Sequence, residues 1–148
     1  MGFPSACFYN PLQKGQSKLR KKSVNVVGAF LQKGEEILIC RRPKNKAQAL
    51  LWEFAGGKVE AGERKQTALV RECKEELDVL IEVGKELCSV SYDYPEVTVN
   101  LTVFFATLLK GEPKCLEHEE IRWITVDQID NFEFCPADVE IIEKIKSL

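Results

Sequence analysis

Residues 57–79 read GKVEAGERKQTALVRECKEELDV. Over residues 64–77 this segment consists mostly of good helix formers, and apolar side chains recur every four positions at Leu69, Cys73 and Leu77. Positions four apart lie on one face of a helix, so this face should pack inward. The segment therefore predicts an amphipathic helix.

Three carboxylates share another face of this predicted helix. Glu72, Glu75 and Glu76 are three and four positions apart, so they are neighbours. One interpretation is a solvated acidic face balanced by Arg71 and Lys74. However, Glu76 borders the apolar face, and its like-charge pairing with Glu72 is unfavourable unless a cation lies between them. Hard divalent cations bridge carboxylates to phosphate oxygens, so the face suits Mg²⁺ bound together with a polyphosphate.

The flanking segments predict a mixed sheet. β-Branched and apolar residues indicate strands at residues 23–31, 36–41, 79–94, 97–109 and 121–126. A closing helix is predicted over residues 136–147, and Gly56 and Gly57 allow the backbone to approach the acidic helix closely. The order of strands, helix, strands and helix predicts an α/β fold with helices on the faces of the sheet.

The composition is that of one globular domain. The 148 residues are 45% hydrophobic, with 21 basic and 23 acidic side chains, so the chain lacks the positive excess that binds duplex nucleic acid. Residues 1–22 carry five Lys or Arg and no acid. We interpret them as a flexible basic arm that is dispensable for catalysis, and residues 23–148 as the domain. No apolar run approaches the ~20 residues that span a bilayer, so no membrane association is expected.

Cysteine and histidine usage excludes the common zinc folds. The six cysteines lie far apart without a C-x-x-C pair, and the single histidine is His118. Reduced thiols in the cytoplasm are the expectation. His118 is interpreted as a surface loop residue rather than as a catalyst.

The acidic segment resembles the signature of the Nudix hydrolases, G-x5-E-x7-R-E-U-x-E-E-x-G-U with U apolar. The matching residues are Gly57, Glu63, Arg71, Glu72, Glu75 and Glu76. The similarity extends to residues 51–58, 94–96 and 136–138, which resemble the MutT branch, especially its CTP pyrophosphohydrolase and oxidised-nucleotide members. Asp78 replaces the last glycine of the signature, where a left-handed backbone is expected. Cys73 replaces an aliphatic residue and should behave as a small buried hydrophobe.

The resemblance implies an α/β/α sandwich that hydrolyses a nucleoside triphosphate to a monophosphate and pyrophosphate, as a monomer or homodimer. It implies that Mg²⁺, or Mn²⁺ in its place, is held by Glu72, Glu75 and Glu76, with Glu72 also the catalytic base. A carbonyl of Gly56 or Gly57 and the Glu117 side chain would add ligands. Glu63 and Arg71 would form a structural ion pair, and Arg42 would contact phosphate.

Base recognition is assigned to three side chains. Trp52 and Tyr94 offer aromatic faces for stacking a base. Phe54 fits a place in the hydrophobic core as well as it fits such a stacking role. Asp138 lies where the MutT branch reads the base, although it is also an ordinary first-turn helix residue. Cytidine-type and oxidised guanine-type nucleotides both remain open as substrates. A nucleotide-binding regulatory module, an interaction protein with an acidic helix, and a hydrolase of other nucleoside diphosphate derivatives are the alternative functions.

Overall fold

The computed structural model describes residues 21–148. The predicted arm therefore lies outside the described residues, except for Lys21 and Lys22, the latter being the first residue of the first strand. The elements are β1 (Lys22–Lys33), β2 (Glu36–Arg41), β3 (Trp52–Glu53), β4 (Ala55–Lys58), α1 (Lys65–Leu77), β5 (Leu80–Asp93), β6 (Val97–Lys110), β7 (Glu120–Thr125), a 3₁₀ helix (Val126–Asn131) and α2 (Pro136–Lys146).

These strands form one mixed sheet, as predicted. The central order is β3-β2-β1-β6-β5, in which β1 and β6 run parallel, whereas the other pairs are antiparallel. Strand β4 pairs with β1 over residues 26–29, and β2 pairs with β1 beyond that point, at Gln32 and Lys33. Strand β7 pairs with β2. Pairing with β1 therefore places β4, which contains Gly56 and Gly57, in the middle of the fold.

The sheet separates two hydrophobic cores. Along β1, Val26 and Phe30 face the core that contains α2, whereas Val27 and Leu31 face the core that contains α1. This alternation follows from the two-residue period of a strand. The predicted α/β/α sandwich is confirmed. Within the described residues, no helix is long and apolar enough to cross a membrane.

Helix α1 ends where the sequence predicted a left-handed residue. Asp78 has φ 55° and ψ 46°, and its N–H donates to the Lys74 carbonyl at 3.0 Å. Its side chain accepts from Lys74 at 2.6 Å and from Lys114 at 2.9 Å. Asp thus takes the position of the usual glycine and also ties the helix end to the loop before β7.

Candidate active site

Two of the three acidic residues of helix α1 are buried in the protein. The apolar face of the helix packs on the sheet, and this packing also buries Glu72 and Glu76, which are each 1% exposed. The Glu75 side chain is 46% exposed. Residues 72 and 76 lie on the flank of the buried stripe, whereas residue 75 is rotated away from it.

Arg71 links three acidic side chains near the start of this face. Its Nε and Nη2 donate to Glu63 at 2.8 and 2.9 Å, which is a bidentate ion pair. Its Nη1 donates to Glu72 at 2.9 Å and lies 3.5 Å from Glu75. The pKa of Glu63 falls to about 2 because of the hydrogen bonds from Arg71 and from the Glu60 N–H. Glu63 is therefore ionised at neutral pH and a poor proton acceptor.

Gly56 and Gly57 sit directly against the buried carboxylates. The Gly56 N–H donates to Glu76 Oε1 at 3.2 Å. A Cβ on Gly57 would lie 2.5 Å from the Glu72 carboxyl carbon, and one on Gly56 would lie 1.9 Å from the Val27 carbonyl oxygen. At Gly56 only glycine lets β4 approach β1 so closely, whereas a Cβ on Gly57 would displace the Glu72 carboxylate.

Burial raises the pKa of both inward-facing carboxyls. For Glu76 the pKa rises to about 8, mainly through desolvation, with the charges of Glu53 and Glu72 adding and His118 opposing. The pKa of Glu72 is also raised by desolvation, although Arg71 opposes the shift. Two desolvated carboxyls beside a glycine backbone form a site whose ionised state requires additional positive charge.

Among residues 21–148, no three Asp, Glu, His or Cys side chains lie close enough to hold a metal ion as they stand. The three carboxylates of α1 have different partners in this structure, and their convergence on a metal ion stays a prediction. Arg71 contacts Glu72 and Glu75, whereas Glu76 binds the Gly56 N–H. The donor set still fits a hard divalent cation, because Glu72 and Glu76 supply oxygen ligands beside a glycine cradle that leaves room for no side chain.

A second buried cluster adjoins this site. Glu53 Oε1 accepts from Arg42 Nη1 at 3.1 Å, and Glu53 Oε2 lies 3.0 Å from His118 Nε2. Arg42 is buried and also donates from Nε to the Ala47 carbonyl at 2.7 Å. In this arrangement the Arg42 guanidinium is paired with Glu53 and with the loop backbone, and its predicted phosphate contact stays a prediction.

His118 is not the surface residue that the sequence suggested. Its side chain is buried, and its Nδ1 has no hydrogen-bond partner within the described residues. Burial lowers the pKa of His118, but the hydrogen bond to Glu53 and the charge of Glu76 outweigh that effect and raise it overall. Glu117, next to it, is exposed and lines the same cleft as Glu76.

Three clefts surround these groups, and we name each after one residue. The Glu72 cleft, about 380 Å³, is lined by Lys58, Val59, Glu60, Ala61 and Glu72. The Glu117 cleft is lined by Arg42, Lys46, Glu53, Glu76, Glu117 and His118, among others. The Asp138 cleft is lined by residues that include Glu53, Phe54, Gly56, Gly57 and Asp138. It is too narrow for a water molecule, so a base enters only if its walls separate.

The aromatic residues predicted to stack a base are all buried. Trp52 is 6% exposed, with Phe132 at its edge and Arg41 and Arg122 over its ring. Tyr94 is also buried, and its hydroxyl accepts from the Ala137 N–H at 3.3 Å. Neither ring offers a free face in this arrangement, and the stacking of a base on either of them stays a prediction.

The two remaining candidates on this side differ from each other. Phe54 belongs to the core, with Phe30 and Phe134 against its ring. Asp138 is 1% exposed, and its Oδ2 has no hydrogen-bond partner within the described residues. Burial and the charge of Glu53 raise the pKa of Asp138 well above its ordinary value, with Arg42 opposing. An unpartnered polar atom in a cleft wall is a group that a base can satisfy.

Glu53 and His118 are the site residues that the sequence analysis did not identify. Glu53 lies inside residues 51–58, which carry part of the resemblance, and His118 follows Glu117. A charged residue in a short strand between Trp52 and Phe54 was the available signal, because burial there requires a partner.

Comparison with known proteins gives consistent matches. A model of the NUDIX domain matches residues 26–144. The chain is 33% identical over 127 residues to a CTP pyrophosphohydrolase of Escherichia coli K12, which covers 86% of this chain and 94% of that protein. It is 30% identical over 128 residues to an 8-oxo-dGTP diphosphatase of the same organism, which covers 86% and 99%.

Solved structures match the same region. The solution structure of the E. coli ORF135 protein has a TM-score of 0.75 at 32% identity and covers 86% of this chain and 91% of that one. The crystal structure of a MutT protein from Methanosarcina mazei Go1 has a TM-score of 0.78 at 25% identity and covers 86% and 96%.

Proposed function

Since the chain belongs to the Nudix hydrolase family, we propose that it hydrolyses a nucleoside triphosphate of the cytidine or oxidised-guanine type to a monophosphate and pyrophosphate, with Mg²⁺ or Mn²⁺ bound. The observation that carries the proposal is the buried pair Glu72 and Glu76 held against Gly56 and Gly57. The named activities of the relatives supply the substrate class.

The metal would be held by Glu72 and Glu76, joined by Glu75, Glu117 and a backbone carbonyl of Gly56 or Gly57. When bound, a divalent cation neutralises phosphate charge and lowers the pKa of a water molecule. The buried carboxylates gain the positive charge that their raised pKa values call for. This is the physical reason why Glu72 and Glu76 are the principal ligands and the exposed Glu75 an additional one.

Glu72 is the group best suited to accept the proton of the attacking water. It lines the open Glu72 cleft, and burial raises its pKa, which makes it a stronger base than Glu63. The water oxygen bonds to the β-phosphorus, the bond from that phosphorus to the α–β bridging oxygen breaks, and the nucleoside monophosphate leaves, with pyrophosphate as the other product. Arg71, fixed by Glu63, holds the Glu72 carboxylate in place.

The buried thiols beside this pair are poor nucleophiles. Cys40 and Cys73 lie in the core beside α1, and burial raises the pKa of both thiols, so neither supplies a thiolate at neutral pH. We therefore assign the attack on phosphorus to water.

The decisive experiment measures kcat/KM for CTP, dCTP, 8-oxo-dGTP, dGTP and UTP with Mg²⁺, followed by chromatography of the products. We expect nucleoside monophosphate and pyrophosphate. Orthophosphate as the first product would contradict the proposed bond cleavage. Binding of all these nucleotides without turnover would instead favour a regulatory module.

A further inference from the structure

Glu53 is a single buried carboxylate that joins three separate segments of the chain. Its Oε1 accepts from Arg42, which directly follows β2, and its Oε2 pairs with His118, which lies in the loop before β7. All three side chains are at most 4% exposed. A buried guanidinium is strongly unfavourable unless it is paired, so the position of Arg42 depends on Glu53.

Arg42 in turn fixes the position of the loop of residues 43–51. Its Nε donates to the Ala47 carbonyl at 2.7 Å, and Arg41 Nε donates to the Leu50 carbonyl at 2.9 Å. The loop also contains Gln48 and Leu50 with φ of 57° and 64°. Non-glycine residues in this region are strained, and such a conformation persists only where the surroundings hold it.

His118 connects Glu53 to the loop of residues 111–119. This loop is fastened to the end of α1, where the Lys114 N–H donates to the Leu77 carbonyl at 2.9 Å and the Leu116 N–H to the Glu76 carbonyl at 3.3 Å. Its far end is fastened where the Glu119 N–H donates to the Arg41 carbonyl at 2.8 Å. Glu117 lies between these anchors.

Glu53 lines both the Asp138 cleft and the Glu117 cleft. We propose that Glu53 is a positioning residue of the hydrolase. It holds the loops of residues 43–51 and 111–119 in fixed positions relative to each other, so that Glu117 and Glu76 line the same cleft. This inference rests on the proposed function for its catalytic consequence, but its structural part is independent of any substrate.

The test compares Glu53→Gln with His118→Ala, His118→Gln and Glu112→Gln. Glu112 is an exposed acid of the same loop, 3.9 Å from Lys33, and serves as the matched control. Hydrogen–deuterium exchange is measured on the full chain without metal or nucleotide. We expect Glu53→Gln to speed exchange in both loops about tenfold or more, because it weakens both ion pairs. His118→Ala should affect residues 111–119 alone, and His118→Gln should restore slow exchange there.

The second readout is the affinity for Mn²⁺ alone, measured by equilibrium dialysis. Residues that orient ligands typically change metal affinity about 10–100-fold, so we expect weaker Mn²⁺ binding in Glu53→Gln and His118→Ala but not in Glu112→Gln. A merely structural contribution would lower the melting temperature and leave Mn²⁺ affinity unchanged, which would overturn the proposal. Unchanged exchange in both loops of Glu53→Gln would overturn it as well.

These outcomes are distinguishable from failure of the proposed function. If the wild-type chain hydrolyses no nucleotide, yet Glu53→Gln loosens both loops and weakens Mn²⁺ binding, the positioning role stands and the hydrolase assignment fails. If Glu53→Gln does not fold, the comparison of His118→Ala with His118→Gln tests the proposal, because both substitutions leave the Arg42–Glu53 ion pair intact.

Discussion

Glu72 and Glu76 lie one turn apart on α1 but have different surroundings. Glu72 lines a cleft of about 380 Å³ and receives a hydrogen bond from Arg71, whereas Glu76 accepts a backbone N–H and lines the Glu117 cleft, which holds only about 10 Å³. A base must reach both solvent and substrate, so the two carboxyls have separate tasks. Glu72 is suited to proton transfer, and Glu76 to holding positive charge.

We predict that Glu72→Gln lowers kcat by about 10²–10⁴-fold, because it removes the base together with a charged ligand. Folding should survive, since the amide relieves the like-charge repulsion with Glu76. Steady-state kinetics and thermal melting check both parts, with the exposed strand residue change Glu82→Gln as the control. Turnover near the wild-type value would remove Glu72 from the catalytic assignment.

Asp138 is predicted to recognise a base in its neutral form. Burial and the charge of Glu53 raise the pKa of Asp138, which favours the neutral carboxyl with one donor and one acceptor. Asp138→Asn keeps one donor and one acceptor, so hydrolysis of CTP should persist, whereas Asp138→Ala should lower kcat/KM for CTP about ten- to a hundredfold. A guanine-type substrate that presents two donors needs the ionised form and should suffer from both changes. If Asp138→Ala slows every nucleotide equally, its role is confined to starting α2.

Among the single residues, the ion pair of Glu63 and Arg71 was predicted from the resemblance to the Nudix signature, and the structure contains it. Glu63 and Arg71 pair because one precedes the helix and the other lies on its first turns. The burial of Arg42, Trp52 and Tyr94 was not predicted, because it depends on side chains that the fold brings next to them from other segments. Arg42 is buried because Glu53 pairs with it, and Trp52 because Phe132 packs on it.

At the level of elements, the sequence predicted the long segments well. Helix α1 and strand β2 were predicted within one residue of their bounds, because α1 has apolar residues at every fourth position and β2 is a short apolar run between charged residues. The 3₁₀ helix Val126–Asn131 was missed, since six residues are too few to show a period. Its capping box, formed by Thr125 and Gln128, was the available signal.

The loop of residues 43–51 gives a prediction about stored strain. Leu50 has φ 64°, which costs a non-glycine residue roughly 1–2 kcal/mol. Leu50→Gly should therefore be more stable than Leu50→Ala by about 1 kcal/mol, because both remove the side chain but only glycine relaxes the backbone. Urea unfolding measures the difference. Ala49→Gly is the control and should destabilise, since glycine there gains no relief. Equal stability of the two Leu50 variants would argue that the loop is unstrained.

At the scale of the whole molecule, folding places one sheet between two helices and buries acidic groups inside both halves. Glu72 and Glu76 lie under α1, and Asp138 lies at the start of α2, all with raised pKa values. Each of these groups binds its proton more tightly in the folded chain than in the unfolded one. The global stability of the protein is therefore coupled to pH through its site.

The direction of this coupling follows from Glu76. Its pKa is about 8 when folded against an ordinary value of 4.5, so its contribution to stability is fully present below about pH 4.5 and is lost as pH rises through 8. A divalent cation binds the ionised carboxylate, so its affinity for the folded chain should rise over the same range. We predict that in EDTA the melting temperature falls between about pH 6 and pH 9, and that the increase on adding Mg²⁺ is larger at the higher pH. Differential scanning fluorimetry of the wild type and Glu76→Gln checks this, because the variant lacks the titrating group and should show a smaller pH effect and a weak response to Mg²⁺. If Mg²⁺ raised the melting temperature by the same amount at both pH values, metal binding would not depend on the ionisation of Glu76, and the prediction would be wrong.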